Sequence, residues 1–147
     1  MEAVSKRTTS KTHGFTFSFK SGMLFITLPS GRKLAYVKPR IGMNQFGGES
    51  IIYEGNGTAR KWERIESYGP KFAKNIVQAT AWDILCFAMN TLKNCSIVMH
   101  IHDEVVIEAN PHMSLDAVYE LMGRTPPWVE GLIQHTAWYV TEFYKKD

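Results

Sequence analysis

From residue 14 to residue 41 apolar and polar positions alternate, in FTFSF, MLFITL and KLAYVKP. A period of two marks a half-buried strand. Ser21-Gly22 and Pro29-Ser30-Gly31 place turn residues at the junctions. The pattern predicts a two- or three-stranded antiparallel meander. Before it, residues 1–13 are polar and read as a frayed, flexible end or a helix end cut from its context. After it, residues 42–66 hold Gly42, Gly47, Gly48, Gly55 and Gly57 and read as a long loop around one short strand, SIIYE. Loops of that length usually carry function or wrap a partner.

The period changes at residue 69. Gly69-Pro70 suits a helix start and Lys93-Asn94 a helix end, and KFAKNIVQATAWDILCFAMNTL between them lacks Gly and Pro. On a wheel of about 100° per residue, Val77, Ala81, Ile84, Leu85, Ala88 and Leu92 form one broad apolar face. Phe72, Ile76, Ala79 and Phe87 form another. The stripe between them is Lys71, Asn75, Gln78 and Trp82. A helix buried on most sides that keeps such a stripe has either a solvent edge or a ligand-facing one. Cys86, in the middle of the apolar helix, reads as a core thiol.

Two apolar runs follow, Ser96–Ile101 and Val105–Ala109, broken by His102, Asp103 and Glu104. A short helix from Ser114 to about Gly123, a rigid RTPPW turn and a last strand over roughly Trp138–Tyr144 complete the reading. Strands mixed with helices, without a βαβ rhythm, predict an α+β fold on an antiparallel sheet.

Composition narrows the class only modestly. The chain has 147 residues, about one domain's worth, and a net charge of +3. That charge permits a polyanionic partner without demanding one. The two cysteines have no framework spacing, which fits a reduced, intracellular chain. No apolar stretch is long enough to span a membrane.

The carboxylates at the break between strands are the sharpest chemical feature. Rigid arms would hold a tip that presents oxygen ligands, which suit a hard cation such as Mg²⁺ working with a phosphate-bearing substrate. A solvated turn is the plain alternative. His100 and His102 could make half a metal site, but no further cluster supports zinc. Trp62, Trp82, Trp128 and Trp138 are candidates for base stacking, with core or interface packing the simpler role.

HIHDEVVIE resembles the third palm motif of family A DNA polymerases, an apolar residue and His-Asp-Glu followed by an apolar strand. VQATAWDILCFAM is similar to the family's helix pattern ahead of that hairpin, and LPSGRKLAYVKPRIG to its hairpin after the fingers. KWERIESYGPKF and EFYKKD resemble the phage-type branch. The resemblance covers roughly residue 14 to the end. It implies a single partial domain: a palm-type antiparallel sheet with a long buried helix and a post-fingers β-hairpin. It implies that Asp103 is one of two metal-binding aspartates, that Glu104 tunes metal or primer-end geometry and that His102 contacts the primer terminus. Gln78 would bond in the minor groove near the terminal base pair, Lys71 or Lys74 would meet phosphate, and Arg32 and Lys33 would contact the backbone.

The implied cofactor is Mg²⁺, and the implied partners are primer–template DNA and deoxynucleoside triphosphates. The implied setting is the cytoplasm of a bacterial or phage-infected cell. The family's first palm motif, Asp–apolar–Ser–x–x–Glu, is absent: Asp83, Asp103, Asp116 and Asp147 are the only aspartates, and none has that context. Lys61 with Tyr68-Gly69 imitates the fingers motif one residue short and on the wrong side of the SGRK hairpin. Where the family usually has Arg and Asn before the Gln, this chain has Pro70 and Lys74. The expectation is therefore a polymerase segment inactive alone, which pairs with an upstream polymerase half or associates with itself. A non-catalytic DNA-binding or assembly module derived from a polymerase is the alternative.

Overall fold

A computed structural model of the chain describes residues 1–44 and 46–144. Lys145, Lys146 and Asp147, the close of the EFYKKD match, lie outside them. The contacts gather into two compact units, Met1–Thr80 and Ala81–Asp147, with the division inside one helix.

In the first unit six strands form one antiparallel sheet in sequence order: β1 (Thr9–Thr12), β2 (Phe15–Lys20), β3 (Met23–Thr27), β4 (Lys33–Met43), β5 (Glu49–Asn56) and β6 (Trp62–Ser67). Two-residue turns close the first two hairpins. His13-Gly14 and Ser21-Gly22 both have positive φ, and Thr12 pairs with Phe15 and Lys20 with Met23. Positive φ at both turn residues matches the right-handed twist of the strands.

The meander is longer at both ends than the sequence pattern suggests. The segment expected to fray forms a short helix, α1 (Glu2–Ser5), followed by β1, and Ala3 and Val4 on α1 are buried. These are the only two adjacent apolar side chains in a polar stretch, and the sheet gives them something to pack on. Residues 42–66, expected as a long loop, are mostly strand. Asn44 shapes the β4–β5 turn: its Oδ1 accepts from the backbone N–H of Phe46 at 2.9 Å and of Gly48 at 2.8 Å. Such a side-chain bond defines a turn by itself. β6 alternates exposed Arg64 and Glu66 with half-buried Ile65 and buried Ser67, and its charges suit an edge strand.

The long helix α2 (Gly69–Thr91) forms within about two residues of its expected bounds. Its first turns bring Phe72 to the sheet. Ala3, Val4, Leu24, Ile26, Tyr36, Ile51 and Phe72 make the core, with Phe17, Leu34, Tyr53 and Ile76 around it. Tyr36 meets Tyr53 and Phe72 edge-on, each at 4.9 Å between ring centroids. Asn75 Nδ2 donates to the Tyr36 hydroxyl at 3.1 Å. The helix is less buried than the wheel implies: Val77 is 66 % exposed, and Cys86, expected in the core, is exposed. Apolar periodicity marks a face able to bury itself, and in this chain only part of that face is covered.

Burial pushes the Tyr36 phenol above its ordinary value, with the Asn75 bond pulling the other way, and burial also raises Tyr53. A phenol whose pKa is higher folded than unfolded contributes stability that is complete below the unfolded value, roughly 10. That contribution is lost as pH rises through the folded value. The urea midpoint is therefore expected to be level across neutral pH and to fall above about pH 10, less steeply in Tyr36→Phe. A midpoint indifferent to alkali would show that the phenol is not desolvated.

In the second unit the end of α2 leads to a two-stranded antiparallel hairpin, β7 (Ser96–Ile101) and β8 (Glu104–Glu108), and to α3 (Leu115–Met122). Ser114 caps α3, its Oγ accepting from the Ala117 N–H at 3.3 Å. Thr91 Oγ1 lies 2.7 Å from both the Ala88 and Leu121 carbonyls and so ties the end of α2 to α3. The strand expected over Trp138–Tyr144 does not form among the described residues. Its apolar side chains are left largely open: Trp138 is 53 % exposed, Val140 69 % and Phe143 70 %. Among the described residues no helix is long and apolar enough to cross a membrane.

Candidate functional site

The hairpin of the second unit builds the carboxylate tip. Ile101 pairs with Glu104, so His102 and Asp103 are the whole turn and Glu104 already belongs to β8. His102 takes φ +52°, as the first position of a primed hairpin turn requires. An L-residue adopts that region only at some cost, and histidine is among the residues that tolerate it. The turn leaves His102, Asp103 and Glu104 all exposed. The register shifts between Ile97 and Met99, leaving Val98 as an extra residue that bends β7.

The two carboxylates differ in their engagement. Asp103 makes no hydrogen bond among the described residues. Glu104 accepts from the Tyr144 hydroxyl at 3.3 Å, and the Tyr144 phenol is pushed up by partial desolvation and then by that carboxylate. Nothing in the sequence marks Tyr144 as a partner of this tip, because the two residues are 40 positions apart. His100 meets the edge of Trp82 with 5.1 Å between ring centroids.

The donor set fits a hard cation only in part. Asp103 offers an exposed oxygen ligand of the right chemistry, yet no group of three His, Cys, Asp or Glu gathers among the described residues.

The other sequence-selected residues belong to the first unit. The Arg32 guanidinium donates to the Ala79 carbonyl of α2 at 2.7 Å, which anchors the β3–β4 turn to the helix. Lys33 and Gln78 line one open groove of about 520 Å³, together with Tyr36, Tyr53, Glu54, Trp62 and Asn75. Lys71 and Lys74 are exposed, and Lys71 Nζ reaches back to the Glu66 carbonyl at 3.5 Å. Of the helix stripe, Asn75 and Gln78 thus face the groove, while Trp82 is taken up by His100. The groove brings together Lys33 and Gln78; Asp103, Glu104 and His102 form a separate group on the hairpin of the second unit. Trp62, a base-stacking candidate by sequence, lines this groove from a segment that reads as loop although WERIES alternates.

Comparison with known proteins adds a relative. The whole chain is 43 % identical, over 152 aligned positions, to a DNA polymerase of Bacillus phage SP02. It spans 24 % of that polymerase's length. No family model and no solved structure matches the chain. From end to end, then, the chain is similar to a segment of a phage DNA polymerase.

Proposed function

We propose that the chain is the distal palm segment of a phage-type family A DNA polymerase. The observation that supports this best is the hairpin tip: a two-residue turn displays the Asp103 carboxylate, exposed and without a hydrogen bond among the described residues, in a chain similar throughout to part of a phage DNA polymerase. The parent reaction is attack of a primer 3′-hydroxyl on the α-phosphorus of a deoxynucleoside triphosphate. An O3′–P bond forms, the bond to the leaving oxygen breaks, and pyrophosphate departs.

In this reading Asp103 supplies one carboxylate to a divalent-cation site completed by an aspartate from an upstream palm segment. A cation bound there would neutralise charge on the phosphate oxygens. Glu104, steadied by Tyr144, keeps a second negative group beside Asp103, and His102 faces the primer end. Gln78 presents an amide to the minor groove, where acceptors are common to all correct base pairs and a mismatch displaces them. Lys74 meets phosphate, which positions the duplex without reading it.

The 147-residue chain alone is expected not to extend a primer, because it has one metal aspartate of the two and none of the fingers' phosphate-binding residues. Mixing it with a polypeptide that carries the upstream palm and fingers is expected to restore Mg²⁺-dependent extension. If the mixture never extends while the chain alone binds duplex tightly, the non-catalytic binding module is the correct reading. In the restored complex Gln78→Ala is expected to raise extension from mismatched primer ends by roughly tenfold relative to matched ends. Equal discrimination in the variant would remove Gln78 from the duplex contact.

A further inference from the structure

The first unit holds an aromatic ring fixed in the open. Trp62 is 60 % exposed on the edge strand β6. Its indole N–H donates to a Glu54 carboxylate oxygen at 3.3 Å, and Lys38 Nζ holds the same oxygen at 2.9 Å. The Lys38 and Trp62 hydrogen bonds keep Glu54 below its usual carboxylate range, so it stays ionised and its charge is balanced. An exposed indole normally samples several rotamers, and this network removes part of that freedom. The ring lines the groove shared with Tyr53, Lys33 and Gln78.

We infer that this groove binds an unpaired nucleotide, with Trp62 as the stacking platform for its base and Lys33 as the contact for its phosphate. The inference rests on the nucleic-acid reading above and assigns it a second contact, separate from the minor-groove role of Gln78. A volume of about 520 Å³ lies in the range of small-ligand sites. With Glu54 balanced by Lys38, the remaining charge among the described residues of the groove lining is the Lys33 cation, which suits an anion. A flat apolar base joined to a phosphate matches an exposed indole beside a lysine. Duplex DNA matches the exposed Trp62 face poorly, because paired bases keep their faces inside the stack.

The test is fluorescence anisotropy of the full chain with a short fluorescein-labelled oligothymidylate, the same strand carrying abasic sites, and a blunt duplex. Stacking contributes roughly 1–3 kcal/mol per base, so Trp62→Ala is expected to weaken oligothymidylate binding about 5- to 150-fold. Trp62→Phe should keep most of the affinity, since it retains a ring. Abasic sites should cost the wild-type chain the same factor and cost Trp62→Ala little more. The salt slope should not change, because no phosphate contact is removed. Duplex binding should be unaffected by the substitution.

If the wild-type chain binds duplex while Trp62→Ala binds oligothymidylate as well as wild type, the stacking site is wrong and the polymerase reading stands. Loss of single-strand and duplex binding in equal measure also overturns it, by showing a general defect. If the wild-type chain binds neither form of DNA, the stacking site is wrong, and the polymerase reading is decided separately by the complementation with the upstream half. Trp62 is exposed at a sheet edge, so the alanine variant should fold, and its circular dichroism spectrum checks this.

Discussion

In a complex of this chain with an upstream palm-and-fingers polypeptide, Asp103→Ala is expected to lower primer extension on the order of 10³-fold or more while leaving complex formation intact. Removing one preorganised group that stabilises transition-state charge costs about 10²–10³-fold, and a direct metal ligand should cost at least that. Stability should barely change, because the carboxylate is exposed and makes no hydrogen bond among the described residues. Surface substitutions of that kind usually stay within about 0.5 kcal/mol. Single-turnover extension and a pull-down of the complex provide the two readouts. Full activity in the variant would remove Asp103 from the chemistry, and loss of the complex would make it an interface residue. Glu104→Gln should have a smaller effect, since it removes charge and keeps an acceptor for Tyr144.

Phe72→Ala is expected to destabilise the first unit by about 3–5 kcal/mol. Phe72 is 9 % exposed, lies edge-on to Tyr36 at 4.9 Å and sits in the core cluster with Ile26 and Ile51. Truncation would remove the buried ring and an aromatic pair worth about 0.5–1.5 kcal/mol beyond its area, and would leave a cavity. Against a typical domain stability of about 5–15 kcal/mol, that is a large share. Urea denaturation followed by circular dichroism measures it. Phe72→Leu should cost much less, because most of the volume remains. A loss under about 1 kcal/mol for the alanine variant would mean that α2 does not pack on this sheet in solution. It would also remove the support for Asn75 and Gln78 beside the groove.

Local pattern carried much of this protein. The period-two runs of residues 14–41, the helix beginning at Gly69, the capped helix after Ser114 and the hairpin around His102-Asp103 all formed close to their expected bounds. Each depends on neighbours in sequence: alternation, a cap, or a two-residue turn. The candidate residues of the tip were legible for the same reason, since apolar arms on both sides of a polar triplet specify a hairpin. The resemblance carried by those residues pointed to a DNA polymerase, and the phage relative agrees with it.

Tertiary structure decided what depends on partners distant in the chain. Ala3 and Val4 become core residues only because a sheet lies beneath them. The glycine-rich stretch after residue 42 becomes strand because β4 offers an edge to β5, and β5 then offers one to β6. Trp138–Tyr144 has strand composition but pairs with no strand among the described residues, and composition cannot supply a partner. Arg32 reaches Ala79 across 47 positions, Tyr144 reaches Glu104 across 40, and Trp62, Glu54 and Lys38 meet across three strands. The sequence determined which segments could bury a face and which side chains could do chemistry. Their neighbours were set by strand pairing and helix packing, in which burial and hydrogen bonding outweigh local preference.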